Sequence, residues 1–211
     1  MLALSCATSY TSQVMSQSAS KPRATYQDVL DAPDNMVAEV LDGELHLMPR
    51  PKRRHIRTAS GLGAFLFTAF DAGVNGPGGW TIIYEPELHL GAGPDIIVPD
   101  LGGWRDGRLL DDGETDDAFI TVVPDWVCEI LSPGTLRIDR MKKMPIYARE
   151  RVTHVWLVDP REKTVEVFRL GETNYTLVGT FGGDEPLVAE PFDALGIPPA
   201  FVWPAKGSAP R

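Results

Sequence analysis

Short apolar runs separated by proline and glycine organise this chain, and their spacing predicts many short elements. Thr25–Leu30 with the following DAPDN predicts a brief capped helix and a turn. MVAEVLDGELHLMP predicts a β-hairpin, because apolar residues flank Asp42-Gly43, a pair suited to a two-residue turn. From His55 to Phe70, the spacing of Ile56, Leu62, Phe65, Leu66 and Phe70 predicts an amphipathic helix that NGPGG then ends. Trp80–Leu90 reads as one strand, with Pro86 marking an edge or a bulge. GPDIIVPD is a second, short strand ending at Asp100, after which LGGW and an acidic stretch read as loop. Asp125–Leu131 is almost wholly apolar, as a central strand covered on both faces should be. Leu136–Arg149 predicts a helix that Pro145 must distort. THVWLVDP is a further buried strand, and KTVEVFRLGETNYTLVG a hairpin turning through Gly-Glu-Thr-Asn. The Pro-rich remainder, EPLVAEPFDALGIPPAFVWP, is expected along the surface. This order predicts an α/β fold, a mixed β-sheet flanked by helices with an N-terminal β-hairpin.

Composition narrows the class. With 211 residues, 43% hydrophobic and 23% charged, the chain can bury one sizeable core but hardly two. The Ser/Thr-rich stretch 1–23 reads as a disordered polar tail without the basic and apolar regions of a signal peptide, and Met15 is an alternative start. One domain is expected over 24–204, with a second disordered tail at 205–211. No apolar run approaches the roughly 20 residues of a membrane helix. Cys6 and Cys128 make no metal or redox spacing, so a reducing cytoplasm is the expected location.

The net charge of −9 argues against nonspecific coating of DNA, which depends on Lys and Arg displacing counterions. The charge is uneven, however. Eleven acids face two arginines between Glu85 and Asp125, including DDGETDD at 111–117. RPKRRHIR at 50–57 holds five Lys/Arg and no acid, and 136–151 holds six bases against two acids. Arg50, Lys52, Arg53, Arg54, Arg140 and Lys142 are therefore candidate nucleic-acid contacts, with a solvated surface as the plainer reading.

Candidate chemistry centres on Glu129, set in WVCEIL among apolar neighbours. A carboxylate there needs a cation or several donors, so it reads as a metal ligand or as the partner of an arginine or helix cap. Asp100 ends the preceding strand, and two strands each delivering a carboxylate can share a hard cation such as Mg²⁺. Asp139, Lys143 and Tyr147, four residues apart, fall within roughly 80° of one another on one helix face. Alone they would be an exposed pair beside a half-buried tyrosine, but the helix follows the Glu129 strand directly. An ammonium there could orient attacking water or offset charge on phosphorus. Glu39 could help hold water at the metal, although an exposed strand position is the plainer reading. His55 could touch phosphate or sit on a solvated face.

These residues resemble the Uma-two family of restriction-endonuclease-like proteins, within the PD-(D/E)-x-K nuclease superfamily. The resemblance runs from Tyr26 to about Val178 through AEVLDGELHLMP, His55, GPGGW, EPELHLG, IIVPDLGGW, PDWVCEILSPGT, Asp139, Lys143, Tyr147 and VWLVDPREKTVEVFRL. It implies a restriction-endonuclease-like fold, metal-holding Asp100 and Glu129, and Mg²⁺ (or Mn²⁺) dependent hydrolysis of nucleic acid, DNA being the expected polymer. It also implies an early Glu and His, matched by Glu39 and His55, and a homodimer. The usual lysine two positions after the Glu is Leu131 here; the resemblance places it on the next helix, at Lys143. Lys142, about 100° away around the helix, is the second choice. Two other readings stand beside the nuclease. One is an inactive nucleic-acid- or protein-binding module, which the net acidity favours. The other is a metal hydrolase acting on small molecules, which would need an enclosed pocket.

Overall fold

The computed structural model describes residues 22–109 and 118–203. The expected tails, Met15 and the acidic run 111–117 lie wholly or almost wholly outside the described residues. Helix α1 (Tyr26–Leu30) starts at Thr25, whose backbone N–H and hydroxyl both donate to Asp28, at 2.7 and 2.8 Å. Strands β1 (Met36–Leu41) and β2 (Glu44–Pro49) form the hairpin. Its turn places Asp42 at φ 52° and Gly43 at φ 80°, the left-handed pair that a tight hairpin turn requires.

Helix α2 (Arg53–Leu66) runs on as a π-helical turn, Phe67–Asp71. Ala59, Leu62, Leu66, Ala69 and Phe70 form its core face, while Ile56 stays exposed. The stretch read as one strand over Trp80–Leu90 is instead two, β3 (Trp80–Tyr84) and β4 (Leu88–Leu90), in different sheets. Pro86 lacks the N–H a ladder needs, and Glu85 before it takes φ 45°, so the chain turns out of one sheet into the other. Strand β5 (Asp95–Ile97) follows. LGGWR, expected as loop, is strand β6 (Leu101–Arg105), with Leu101 and Trp104 fully buried. Its two glycines hid it from a reading based on apolar alternation.

Strand β7 (Trp126–Ile130) is buried throughout, between antiparallel β6 and parallel β8 (His154–Asp159). The intervening helix is α3 (Leu136–Ile138), a π-helical turn (Asp139–Lys143) and α4 (Met144–Arg149). The widened turn lies just before Pro145, where a regular helix would lose a hydrogen bond and meet a clash. Strands β9 (Thr164–Leu170) and β10 (Tyr175–Gly182) complete the set. The result is a mixed α/β fold with two sheets, ordered β2-β1-β5-β4 and β10-β9-β8-β7-β6-β3.

The C-terminal segment is not a surface strap. Phe192 is fully buried, its ring 4.8 Å from Phe70 and Trp80, 4.9 Å from Trp126 and 5.7 Å from Trp156. Leu187, Ala189, Ile197 and Val202 join the same core. Helix α5 (Pro199–Val202) lies so close to α2 that a Cβ on Gly61 would sit 2.3 Å from the Phe201 carbonyl oxygen. Residues on β7 alternate between two cores: Trp126, Cys128 and Ile130 face this one, and Val127 the other, with Leu131, Ile146 and Tyr147. That alternation turns Glu129 toward the helix that follows. No helix among the described residues is long and apolar enough to cross a membrane.

Candidate functional site

Glu129 sits on the Val127 face of β7 and is buried. The hydroxyl of Tyr147 donates to its Oε1 at 2.6 Å, and Lys143 Nζ lies 3.3 Å from the same oxygen. Lys143 also stands 2.9 Å from Glu39 Oε1 and 3.8 Å from Asp139 Oδ1. The spacing that predicted one face for Asp139, Lys143 and Tyr147 thus gathers all three, with Lys143 and Tyr147 on Glu129 and Asp139 beside Lys143. Glu39, on β1, is fully buried rather than exposed, and its Oε1 also accepts the Val98 N–H at 2.7 Å. Its other oxygen is buried without a hydrogen-bond partner.

Asp100 lies between β5 and β6 and is tied to β7 by the Ile130 N–H, which donates to its Oδ2 at 2.6 Å. His55 Nε2 stands 3.2 Å from the same oxygen, so this histidine is part of the cluster and not of a solvated face. His55 Nδ1 is buried and unpartnered. Leu131 is packed in the core, so an amine can reach this group from the helix and not from that position.

Burial dominates the electrostatics. It pushes the Glu129 carboxyl well above its ordinary pKa; Lys143 opposes this, while Asp139, Asp100 and Glu39 reinforce it. Burial likewise raises Asp139 to about 6, against the pull of Lys143 and a hydrogen bond from Thr135. For Lys143, burial favours the neutral amine, but the charges of Glu129, Glu39 and Asp139 outweigh it and keep the ammonium charged. Burial also works against a charged His55, and the hydrogen bond and charge of Asp100 overcome it, raising the imidazole's pKa. Burial, then Glu129 and Glu39, hold the Tyr147 phenol protonated far above its usual range.

Four carboxylates therefore meet one ammonium and one imidazole. The excess of acidic side chains over basic ones, their oxygen donors and the unpartnered Glu39 oxygen suit a hard divalent cation, whose charge would favour the ionised carboxylates. Among the described residues no three His, Cys, Asp or Glu side chains are spaced to close around an ion. A cation such as Mg²⁺ would need only one or two of these carboxylates, since it commonly fills its remaining positions with water and substrate phosphate.

The cluster forms the floor of a cleft of about 550 Å³. Arg50 and Lys52 line it, and Arg50 also donates to the Asp34 carbonyl at 3.0 Å. Arg53 and Arg54 are exposed at the start of α2. Arg140 and Lys142 are not brought to the cleft: Arg140 pairs with Glu166, and Lys142 Nζ lies 3.6 Å from Glu44. Glu85 and Glu87 also line the cleft, although sequence reasoning passed over them. Their signal was the Glu-Pro-Glu interruption of an otherwise apolar strand.

Comparison with solved structures finds the same fold in a protein of Anabaena variabilis ATCC 29413, described as a "putative nuclease belonging to DUF820". The two are 20% identical with a TM-score of 0.67, over 86% of this chain and 98% of that one. Comparison with curated proteins finds no match. The sequence profile of the Uma2 family, described as "Putative restriction endonuclease", matches residues 24–199, and the chain belongs to that family.

Proposed function

We propose that this protein is a divalent-metal-dependent nuclease that hydrolyses DNA phosphodiester bonds, with Asp100 and Glu129 holding Mg²⁺ or Mn²⁺ and Lys143 beside the reacting phosphate. One observation carries the reading: Asp100 at the entry to β6, Glu129 on the neighbouring β7 and a charged Lys143 from the next helix line one open cleft. When bound, the cation supplies Lewis-acid charge at a phosphoryl oxygen. The protein's own groups do the rest. The Ile130 N–H and His55 fix Asp100, and the Tyr147 hydroxyl fixes Glu129. Lys143 Nζ orients the attacking water and offsets the negative charge that develops on phosphorus. The water oxygen bonds to phosphorus, the bond from phosphorus to the departing sugar oxygen breaks, the attacking water's proton passes to solvent or a nearby carboxylate, and a proton from solvent completes the departing hydroxyl. Arg50 and Lys52, at the cleft, are the basic residues placed to hold neighbouring phosphates. The family's expected homodimer belongs to this reading.

The test is cleavage of labelled DNA and RNA by purified protein with Mg²⁺, with Mn²⁺ and with chelator, beside Glu129→Ala and Lys143→Ala. Metal-dependent cleavage lost in both variants is the expected result. Cleavage that survives both substitutions rejects the site. The second reading, a binding module that keeps the fold, is favoured by Lys143 being already engaged by three carboxylates. DNA binding without cleavage under every metal condition would establish it.

A further inference from the structure

The cleft has a second half that the chemistry above does not use. Beside the charged floor, its wall is apolar: Leu30, Met36, Ala38, Met48, Pro49 and Val98 line it, drawn from α1, the hairpin and the segment after β5. Leu30, in the same lining, is 59% exposed and so open to a ligand. The volume of about 550 Å³ falls within the range of roughly 300–1,000 Å³ typical of small-ligand sites.

Charge points the same way. The lining carries seven Asp or Glu side chains against Arg50, Lys52 and Lys143. Such a cleft repels a long array of phosphates and tolerates the few that a cation and two rim bases can neutralise. Arg140 and Lys142 add nothing to this track, being paired with Glu166 and Glu44, and Arg53 and Arg54 lie exposed outside the lining. A flat, neutral nucleobase matches the apolar wall, and flexible Met48 and Met36 make that wall tolerant of base identity. Reaching the buried Asp100 and Glu129 also requires a thin, pliable strand, since these carboxylates are 9% and 3% exposed.

We propose that the cleft takes a single DNA strand, with one unstacked base against the Leu30–Met48 wall while the adjoining phosphate meets Asp100, Glu129 and Lys143. The substrate class is therefore single-stranded or unpaired DNA and not intact duplex. The assignment of the reacting phosphate rests on the nuclease reading; the base subsite can be tested without it.

The test is fluorescence anisotropy of a labelled 12-nucleotide strand and of the same strand annealed, in Ca²⁺ or Mg²⁺, followed by cleavage of both and of bis(p-nitrophenyl) phosphate. The single strand should bind about tenfold or more tightly than the duplex. With two rim bases engaged, log K should fall against log salt with a slope of only about −1.4. Met36→Gln, at a half-buried position, and Leu30→Gln, at an exposed one, make the wall polar without adding charge or burdening the core. Each should weaken single-strand binding about tenfold and leave turnover of the small diester within about twofold. Equal binding of strand and duplex, or unchanged strand binding in both variants, overturns the proposal. Strand-selective binding with no hydrolysis of any substrate upholds the subsite and rejects the nuclease reading instead.

Discussion

Replacing Lys143 by methionine tests the centre of the molecule most directly. Methionine keeps most of the apolar stem and removes the charge, so packing is largely preserved. In the wild type the ammonium lies 2.9 Å from Glu39, 3.3 Å from Glu129 and 3.8 Å from Asp139, and all four groups are buried. Without it, three carboxylates share an apolar interior with no cation among them. Removing one partner of a buried ion pair costs about 3–5 kcal/mol. A domain of this size loses about 2–4 °C of Tm per kcal/mol, so the variant should melt roughly 6–20 °C lower in chelator. A divalent cation restores positive charge to the site and should recover part of that loss, about 2.7 kcal/mol at a metal concentration one hundred times its Kd. Cleavage should not recover, because the charge that offsets the phosphorus is gone, and a loss of about 10²–10³-fold is expected. Thermal and urea denaturation with and without Mg²⁺, beside cleavage assays of the same samples, measure both effects. A variant within about 1 kcal/mol of wild type in chelator would show that the ammonium is not balancing buried carboxylates. Full cleavage by a folded variant would remove Lys143 from the mechanism.

Three other outcomes follow from particular contacts. Tyr147→Phe removes the 2.6 Å hydrogen bond to Glu129 and should lower stability by about 1.5–3 kcal/mol, read by urea denaturation; an unchanged midpoint would mean the hydroxyl does not hold that carboxylate. Phe192→Ala empties the space between Phe70, Trp80, Trp126 and Trp156 and should cost about 3–5 kcal/mol, with an accompanying change in tryptophan fluorescence; a loss below about 1 kcal/mol would contradict the buried ring. Burial, with Arg105 and Arg169, holds His154 below the ordinary histidine pKa, so the unfolded chain binds that proton more readily. Stability should therefore fall as pH drops below about 6.5 toward the folded-state pKa, and His154→Gln should flatten that limb of the pH–stability curve. An unaltered limb would show that His154 is not its source.

Much of the site was legible because it depends on short-range rules. A carboxylate inside WVCEIL has no inexpensive structural role, and four-residue spacing brought Asp139, Lys143 and Tyr147 to the same face. The full burial of Glu39 and the partial enclosure of His55 were not legible. Each lies in a segment whose neighbours alternate or are basic, and only pairing of β1 with β5 and the approach of α2 to Asp100 enclose them. The division into two sheets escaped for a related reason. A proline in an apolar run signals an interruption, but whether the chain resumes in the same sheet depends on partners distant in sequence. Strand β6 was missed because Gly102 and Gly103 give no apolar signal, and the C-terminal segment because proline-rich sequence does not disclose that one phenylalanine within it fills a cage of indoles.

The two-sided character of β7 makes that last segment matter to a reaction it never touches. Trp126, Cys128 and Ile130 lean on residues far downstream in the chain, among them Leu187, Phe192 and Ile197, while Glu129, between them, points the other way. A nascent chain that already carries every candidate reacting group still lacks the backing against which their strand is pressed. Any hydrolytic competence of that site would then wait until the downstream segment has folded onto the sheet.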